Sequence, residues 1–348
     1  MRDEAEKPLM PSNSHRFRKI LIVKPSSLGD IIHALPLLNA IKTALPDSEV
    51  HWVVAKGFEG ALQGHPMIKR LWVIHKENWK RPSRLISTVS ELGALFRGLR
   101  LEGYDLVIDL QGLLRSGIIT ALSGAGLRVG FSDARELSPF FYNLKVKGGT
   151  GIHAVERYLK LASLIGIDTD GVDFPLPPIQ DTFHSEGPYY VVVPGARWPA
   201  KRWPVGYFID VIKALPATAV IIGSREDVDI AGTIALNTEG RSINMAGKTD
   251  LKKLFSIIKG ASFMLSNDSG PMHMGAAQSV PVYAVFGPTS EVLTGPYGDG
   301  HRVFRADIDC SPCFRKTCET MRCMREITPG QVVEAITEDR MQFCLRKD

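Results

Sequence analysis

Short β-branched runs alternate with longer amphipathic stretches along this chain, and the alternation starts again halfway. The predicted strands of the first half are ILIVK (20–24), EVHWVV (49–54), RLWVI (70–74) and DLVIDL (105–110). Helical patterns lie between and after them, at 31–45, 83–99 and 153–165. Strands joined by helical crossovers predict a parallel sheet flanked by helices. Pro36 lies inside the first helical stretch and is expected to kink or shorten it.

The pattern stops at GIDTDGVDFPLPPIQ (166–180), whose Gly, Pro and Asp residues are typical of an interdomain linker. It then resumes with the strands YYVVVP (189–194), AVIIG (219–223), FMLSN (263–267) and VYAVFG (282–287). We therefore predict an α/β protein with two Rossmann-like, doubly wound domains facing a cleft. The predicted parts are a disordered tail (1–17), a first domain (18–165), the linker (166–180), a second domain (181–327) and a C-terminal helix (328–348). In such sheets ligands bind beyond the carboxyl ends of the strands.

Length and charge narrow the class of protein. A chain of 348 residues is long for one core, and no stretch approaches the roughly 18 apolar residues that span a bilayer. The polar start lacks the apolar segment of a secretory signal, so we expect a cytoplasmic location. The net charge of +5 includes a basic cluster in the first half, with Lys80, Arg81 and Arg84. This cluster is either a solvated surface or a patch for an anionic partner at a membrane surface, and no signature of a nucleic-acid-binding module accompanies it.

The first strand runs through KPSSLGD (24–30) into a helix. Ser27 and Gly29 suit a tight turn whose backbone N–H groups bind an anion at a helix N-terminus. Asp30 is either a helix cap or a carboxylate that takes a proton from an acceptor hydroxyl. The fingerprint G-x-G-x-x-G is absent after this strand, which disfavours a dinucleotide-dependent oxidoreductase.

Polar residues also follow the strands of the second half. Lys201, in PGARWPAKRWP (194–204), is either a surface charge or a cation that neutralises a diphosphate leaving group. Asp227, after GSRE, either caps a helix or accepts hydrogen bonds from a ribose diol. Asp268, Ser269 and Gly270, in DSGPMH (268–273), open another helix, whose backbone amides and Ser269 hydroxyl would bind a diphosphate. His273 is either a structural residue or turned toward the same pocket.

Four cysteines near the end of the chain have the spacing C-x2-C-x4-C-x4-C. They are Cys310, Cys313, Cys318 and Cys323, and Cys344 is a fifth. Free thiols, a structural metal site and disulfides all remain open, although disulfides are rare in cytosolic proteins and the x4 spacings fit common zinc motifs imperfectly.

Seven segments together resemble the ADP-heptose:lipopolysaccharide heptosyltransferases, glycosyltransferase family 9. They are KPSSLGD, DLQGLLRSG (109–117), SDARELSPFFYN (132–143), HAVERYLKL (153–161), PGARWPAKRWP, SNDSGPMH and FGPT. The segments containing ARE, FYN and HAVER look most like heptosyltransferase I, which adds the first heptose to Kdo on lipid A. Ala196 and Arg197, however, stand where that enzyme has a Thr pair.

The resemblance implies a GT-B fold and an inverting transfer of L-glycero-D-manno-heptose from ADP-heptose to Kdo, without cofactor or metal. The first domain would bind Kdo-lipid A or inner-core lipopolysaccharide at the inner face of the cytoplasmic membrane. The second would bind the donor, and the C-terminal helix would cross back to the first. Asp30 falls on the catalytic base and Lys201 on the lysine that binds the donor phosphates. Asp227 falls on the acidic residue that holds the ribose, and the family's donor-binding element falls on Asp268, Ser269, Gly270 and His273. The expected acceptor contacts are Asp109, Gln111, Arg115 and Arg135, with Lys80, Arg81 and Arg84. A heptosyltransferase II-like enzyme and a non-catalytic nucleotide-sugar-binding protein remain alternatives.

Overall fold

A computed structural model of the protein describes residues 17–76, 85–179 and 183–345, apart from the side chains of 85–87 and 340–345. Residues 1–16 of the predicted tail, and Lys80, Arg81 and Arg84, lie outside the described residues. The chain divides into two compact units between Pro178 and Ile179, within the stretch whose composition is typical of a linker. Each unit has its own sheet.

The first unit is built on β1 (Lys19–Val23), β2 (Glu49–Ala55), β3 (Arg70–Ile74), β4 (Leu106–Asp109), β5 (Leu127–Phe131) and β6 (Leu144–Val146). Its helices are α1 (Leu28–His33), α2 (Leu35–Ala44), α3 (Leu85–Glu102), α4 (Leu114–Leu122) and α5 (Ala154–Leu164). The strand order is β3-β2-β1-β4-β5-β6, and the pairings are parallel. Because helices cover both faces of such a sheet, the central strands are apolar throughout. Ile20 to Val23 are fully buried.

The second unit has the strands β7 (Tyr189–Val193), β8 (Thr218–Ile221), β9 (Ser242–Asn244), β10 (Met264–Asn267), β11 (Val282–Phe286) and β12 (Arg302–Arg305). Its helices are α6 (Val205–Ala214), α7 (Val228–Leu236), α8 (Leu251–Lys259), α9 (Gly270–Ala277), α10 (Glu291–Thr294), α11 (Arg322–Arg325) and α12 (Pro329–Leu345). The order β12-β11-β10-β7-β8-β9 repeats the first unit's topology. In both sheets the strand order reverses between the first and the fourth strand of the unit, which is where doubly wound sheets bind ligands.

Two details differ from a simple reading of the pattern. The stretch 31–45 contains two helices that meet at Ala34, because a proline in the first turn of α2 cannot continue the hydrogen bonds of α1. The predicted effect of Pro36 is thus confirmed. The strands β5, β6, β9 and β12 were not predicted; they are only three to five residues long. The predicted strands β7 and β11 are as short as β5 but are apolar throughout, whereas each of the four missed strands contains charged, polar or glycine residues that interrupt the apolar run.

The C-terminal helix α12 packs on the second unit. Val332 and Ile336 are fully buried in a core that also contains Trp203 and Phe208. Tyr283 donates a hydrogen bond from Oη to Asp339 Oδ2 at 3.0 Å. Among the described residues, we find no helix that combines the length and the apolarity needed to span a bilayer.

Substitution of a buried residue on α12 should therefore destabilise the second unit. Ile336→Ala leaves a cavity in a packed core, and we expect a loss of about 2–5 kcal/mol in the free energy of unfolding. Thr337→Ala, at the exposed neighbouring position, is the matched control and should change it by no more than about 0.5 kcal/mol. Urea denaturation followed by tryptophan fluorescence measures both. Equal stability of the two variants would contradict the packing of α12.

Candidate active site

The start of α1 is held by the Asp30 carboxylate. Ser27 donates its backbone N–H and its hydroxyl to Asp30 Oδ2 at 2.9 and 2.7 Å. This is the helix-capping arrangement that an acidic residue in the first turn favours. The cap uses one carboxylate oxygen, and Oδ1 remains for other partners.

Those partners come from the end of β1 and from α5. Lys24 is 3% exposed, and its Nζ lies 3.7 Å from Asp30 Oδ1 and donates to the Leu110 carbonyl at 3.3 Å. Tyr158 donates from Oη to Asp30 Oδ1 at 3.3 Å, and its ring centre lies 5.2 Å from Lys24 Nζ. Burying a lysine without a compensating charge destabilises the folded state. Lys24 and Asp30 therefore depend on each other as an ion pair.

This environment keeps Asp30 ionised. Burial by itself would raise the pKa of Asp30, but the Lys24 charge and the Ser27 hydrogen bonds outweigh it and hold that pKa well below its usual range. Burial raises the pKa of Tyr158 to about 12, although the Lys24 charge opposes the rise. At neutral pH the site therefore combines a carboxylate, an ammonium group and a neutral phenol.

Asp30 borders a cavity of about 280 Å³ in the first unit. This volume is near the lower end of the range of about 300–1,000 Å³ for ligand sites, and suits a single sugar residue. The polar side chains in its lining are Lys24, Asp30, Gln111, Asp133, Arg135, Arg157 and Tyr158. Three cationic groups face two carboxylates, so the lining carries a positive excess that favours an anionic ligand.

The predicted acceptor contacts separate into two groups. Gln111 and Arg135 line the cavity, and Gln111 Oε1 accepts the Ser26 N–H at 3.3 Å. Arg115 is exposed on α4 and does not line the cavity.

Asp109 is fully buried at the end of β4 and also does not line the cavity. Its Oδ2 accepts the Tyr142 hydroxyl at 2.7 Å, and its Oδ1 accepts the N–H groups of Gln111 and Gly112 at 2.8 and 3.1 Å. Burial raises the pKa of Asp109 and these donors oppose the rise. The prediction that Asp109 contacts acceptor therefore does not fit the geometry, in which Asp109 holds the loop that carries Gln111.

Arg157 and the residues around it were not predicted. Its guanidinium lies 4.4 Å from the ring centre of Phe131, and its Nη2 is 3.4 Å from Asp133 Oδ1. Asp133 also accepts the N–H groups of Gly148 and Gly149 at 3.0 and 3.2 Å. Arg157 belongs to the segment HAVERYLKL, so its presence in a family motif was the available signal.

In the second unit, Asn267 ties two strand-end loops together. Its side chain donates to the Pro194 carbonyl at 2.8 Å and accepts the Trp203 N–H at 3.1 Å. Trp203 is buried and donates from Nε1 to the Ile327 carbonyl at 2.9 Å. These bonds fix the loop that contains Lys201 beside the end of β10, where Asp268 follows.

The result is an ion pair between two of the predicted donor-binding residues. Lys201 Nζ lies 2.6 Å from Asp268 Oδ2, and Thr289 donates from Oγ1 to the same oxygen at 2.6 Å. The Lys201 ammonium is also 4.7 Å from a ring centre of Trp198. Lys201 is 17% exposed, so it is a held cation and not a freely solvated surface lysine.

Asp227 is held between the ends of β7 and β8. Ser224 donates its N–H and hydroxyl to Asp227 Oδ2 at 2.8 and 2.7 Å, which is a cap like that of Asp30. A Cβ atom at Gly195 would collide with this carboxylate, and one at Gly223 would lie 2.8 Å from Asp227 Cβ. Both positions therefore require glycine if the carboxylate is to stay in place.

The remaining predicted donor residues belong to α9. Ser269 precedes the helix and its Oγ lies 3.1 Å from Ser266 Oγ, Gly270 is the first helical residue, and His273 is buried. The first amides of a helix are not bonded within it and favour an anion.

The four cysteines between residues 310 and 323 are free thiols. Cys310, Cys313 and Cys318 are exposed, and Cys323 is buried. Burial, together with the three neighbouring thiols, raises the pKa of Cys323. Within the described residues, no three His, Cys, Asp or Glu side chains are arranged to hold a metal ion.

Comparison with known proteins identifies the family. The model of glycosyltransferase family 9 (heptosyltransferase) matches residues 92–323. The chain belongs to glycosyltransferase family 9. It is 31% identical to lipopolysaccharide heptosyltransferase 1 of Pseudomonas aeruginosa over 347 residues, which cover 95% of this chain and 92% of that protein.

Solved structures of family 9 members agree with this assignment. E. coli heptosyltransferase WaaC with ADP has a TM-score of 0.81 at 27% identity, over 92% of this chain and 99% of that chain. The same protein with ADP-2-deoxy-2-fluoro heptose has a TM-score of 0.78 at equal identity and coverage. The predicted family and the predicted GT-B class of two Rossmann-like domains are both confirmed.

Removing the Lys24 charge should raise the pKa of Asp30. Lys24→Met keeps the length of the side chain and removes a cation that lowers this pKa, an effect of about 1–3 pH units for an opposite charge at this range. NMR titration of the ¹³C-labelled Asp30 carboxyl measures the shift. In the native protein the signal should stay that of the ionised form far into acid, whereas in the variant it should titrate at higher pH.

Tyr158→Phe is the matched control, because it removes one hydrogen bond at 3.3 Å and no charge. It should raise the pKa of Asp30 by less than Lys24→Met does. An Asp30 pKa unchanged by Lys24→Met would show that the ion pair does not control this carboxylate.

Proposed function

We propose that the protein transfers L-glycero-D-manno-heptose from ADP-heptose to a Kdo residue of the lipopolysaccharide inner core, with inversion at the anomeric carbon. The observation that carries the proposal is an ionised carboxylate, Asp30, at the wall of a sugar-sized cavity with a positive excess. Membership of a family of heptosyltransferases supports the reaction class. The name of the Pseudomonas aeruginosa relative supports lipopolysaccharide as the acceptor.

The first unit is the proposed acceptor site. Kdo is a sugar acid, and its carboxylate would bind Arg135 and Arg157, whose guanidinium groups suit two-point hydrogen bonding to a carboxylate. Arg157 is already oriented by the Phe131 ring and by Asp133. Gln111 would contribute hydrogen bonds to sugar hydroxyls.

The second unit is the proposed donor site, and the complex of WaaC with a fluorinated ADP-heptose supports the identity of the donor. Lys201 and the first amides of α9 would hold the diphosphate, with Ser269 and Gly270 at the start of the helix. Asp227 would accept hydrogen bonds from the ribose hydroxyls. Asp268 would orient Lys201 through the ion pair, and His273, near the start of α9, would face the same diphosphate site.

The reaction is a direct displacement. A Kdo hydroxyl gives its proton to Asp30 Oδ1, and its oxygen forms a bond to the anomeric carbon of the heptose. The bond from that carbon to the diphosphate oxygen breaks, and ADP leaves with the electron pair. Lys201 stabilises the charge that develops on the leaving oxygen, as preorganised cations do in such steps.

The acceptor is anchored in a membrane by its lipid A portion, so we place the enzyme at the inner face of the cytoplasmic membrane. An assay of ADP release from ADP-heptose with defined acceptors tests the whole proposal. Turnover on Kdo-lipid A supports it. Turnover only on an acceptor that already carries heptose would identify a heptosyltransferase II-like enzyme, and ADP-heptose binding without turnover would identify a non-catalytic binding protein.

Asp30→Asn should abolish transfer while donor binding stays nearly intact. The amide oxygen can still accept the Ser27 hydrogen bonds, but the group no longer takes a proton. General-base catalysis accelerates a reaction about 10²–10⁴-fold, so we expect kcat to decrease by a factor in that range. Steady-state kinetics measures kcat, and calorimetric titration with ADP measures binding. A loss in kcat below about tenfold would refute Asp30 as the base.

Lys201→Ala should weaken ADP binding and lower kcat, by about 10²–10³-fold in kcat if the lysine stabilises the leaving group. Lys201→Arg retains the charge and should recover part of the loss. Lys213→Ala is the matched control, because Lys213 is 43% exposed and pairs with Glu239 at the surface. Equal kinetics for the variants at positions 201 and 213 would show that Lys201 does not act on the donor.

A further inference from the structure

Large apolar side chains are exposed beside the cavity of the first unit. Leu137 is 66% and Phe140 83% exposed, in and just before the helical turn Ser138–Phe141, and Leu114 is 39% exposed at the start of α4. We call Leu114, Leu137 and Phe140 the apolar rim. Leu122 lies two turns further along the same face of α4 and is also 39% exposed. Neighbouring exposed apolar groups of this size usually mark an interaction site.

Packing and backbone hydrogen bonds fix the turn that carries the apolar rim. Phe141 packs against Gly117 of α4, where a Cβ atom would collide with its ring. The Arg135 N–H donates to the Gly112 carbonyl at 3.1 Å, and Ser138 donates from Oγ to the Arg135 carbonyl at 2.8 Å. The fold therefore presents Leu137 and Phe140 to the outside on a fixed support.

Exposed basic side chains lie close in sequence to the residues of the apolar rim, and one of them contacts the turn that carries Phe140. Arg115, Arg135, Lys145 and Lys147 are exposed. Lys145 Nζ lies 3.4 Å from the Pro139 carbonyl, directly beside the turn. The segment 132–143 also contains two acidic residues: Glu136, which is exposed, accepts the Leu114 N–H at 3.3 Å, and Asp133 pairs with Arg157. The surface thus combines apolar tips with a cationic border.

These features together favour an anionic lipid bilayer as the partner. A membrane surface offers phosphate groups to the basic border and an apolar interior to the exposed side chains. A second copy of this chain fits less well, because a two-fold interface would bring the same cations together. Arg135 belongs both to the basic border and to the cavity lining, so the rim adjoins the proposed acceptor site.

We propose that Leu137 and Phe140, with Leu114, insert into the headgroup region of an anionic bilayer while the basic border binds lipid phosphates. The cavity would then open at the level where the sugar of a glycolipid leaves the membrane. The orientation rests on the proposed function, whereas the insertion itself does not. The apolar rim and its basic border are distinct in sequence from the predicted basic cluster for the anionic partner, which consists of Lys80, Arg81 and Arg84.

Sedimentation of the full chain with lipid vesicles tests the insertion. The vesicles contain phosphatidylethanolamine and phosphatidylglycerol, with pure phosphatidylcholine as the neutral comparison. The double variant Leu137→Ser, Phe140→Ser should bind the anionic vesicles roughly tenfold or more weakly than the native chain, since each side chain loses apolar contact with lipid. The matched control is Leu236→Ser, Val292→Ser, at positions 86% and 55% exposed in the second unit, and should bind like the native chain.

Vesicle binding unchanged by the rim substitutions would overturn the proposal. A native dimer in analytical ultracentrifugation that the rim variant loses, with no difference in vesicle binding, would identify a second copy as the partner and overturn it as well. Thermal denaturation of both double variants confirms folding; the substituted residues are exposed, so little loss of stability is expected.

Activity measurements separate this inference from the proposed function. The rim variant should show a raised KM for Kdo-lipid A presented in vesicles, and unchanged kinetics with a water-soluble, deacylated Kdo acceptor. Equal losses with both acceptors would place the rim residues in sugar binding and contradict the membrane role. If the native chain transfers heptose to neither acceptor, the proposed function fails, and vesicle binding alone still decides the role of the rim.

Discussion

The ion pair between Lys24 and Asp30 sets the charge state of the cavity wall in the first unit. Lys24 directly follows β1, whose residues Ile20 to Val23 are apolar and buried, and its charge is tolerated because the Asp30 carboxylate offsets it. The same carboxylate caps α1 through its other oxygen, so the start of that helix and the electrostatics of the cavity wall depend on one side chain. Tyr158, on α5, donates a hydrogen bond to Asp30 and so links the ion pair to the helix that also carries Arg157.

In the second unit a single side-chain amide, that of Asn267, has a similar organising role. Asn267 joins the loop after β7 to the end of β10, and Lys201 then meets Asp268 although 67 residues separate them in sequence. Parallel sheets make such meetings regular, because every strand delivers its carboxyl end to the same edge. Polar residues that follow successive strands therefore lie close together at that edge because of the sheet topology alone.

That regularity explains what could be predicted from sequence. Strand and helix periodicity predicted two α/β domains, and polar residues after the strands pointed to Asp30, Lys201 and Asp268. Arg157 and Tyr158 could not be predicted in the same way, because Tyr158 reaches Asp30 across 128 residues through the packing of α5. Asp109 shows the opposite limit: a polar residue in a motif can support a binding loop or contact a ligand, and only its buried position distinguishes the two.

If Asp30 is the base, as we propose, its depressed pKa has a consequence for the order of events in transfer. A carboxylate held so far below its usual pKa is a weak base, and full removal of a proton from a sugar hydroxyl before attack is strongly unfavourable. In the proposed displacement the proton would therefore move late, when the new glycosidic bond has made the hydroxyl acidic. A base this weak would also return the proton to solvent quickly once product has formed, so the proposed mechanism would need no separate step to restore the Asp30 carboxylate.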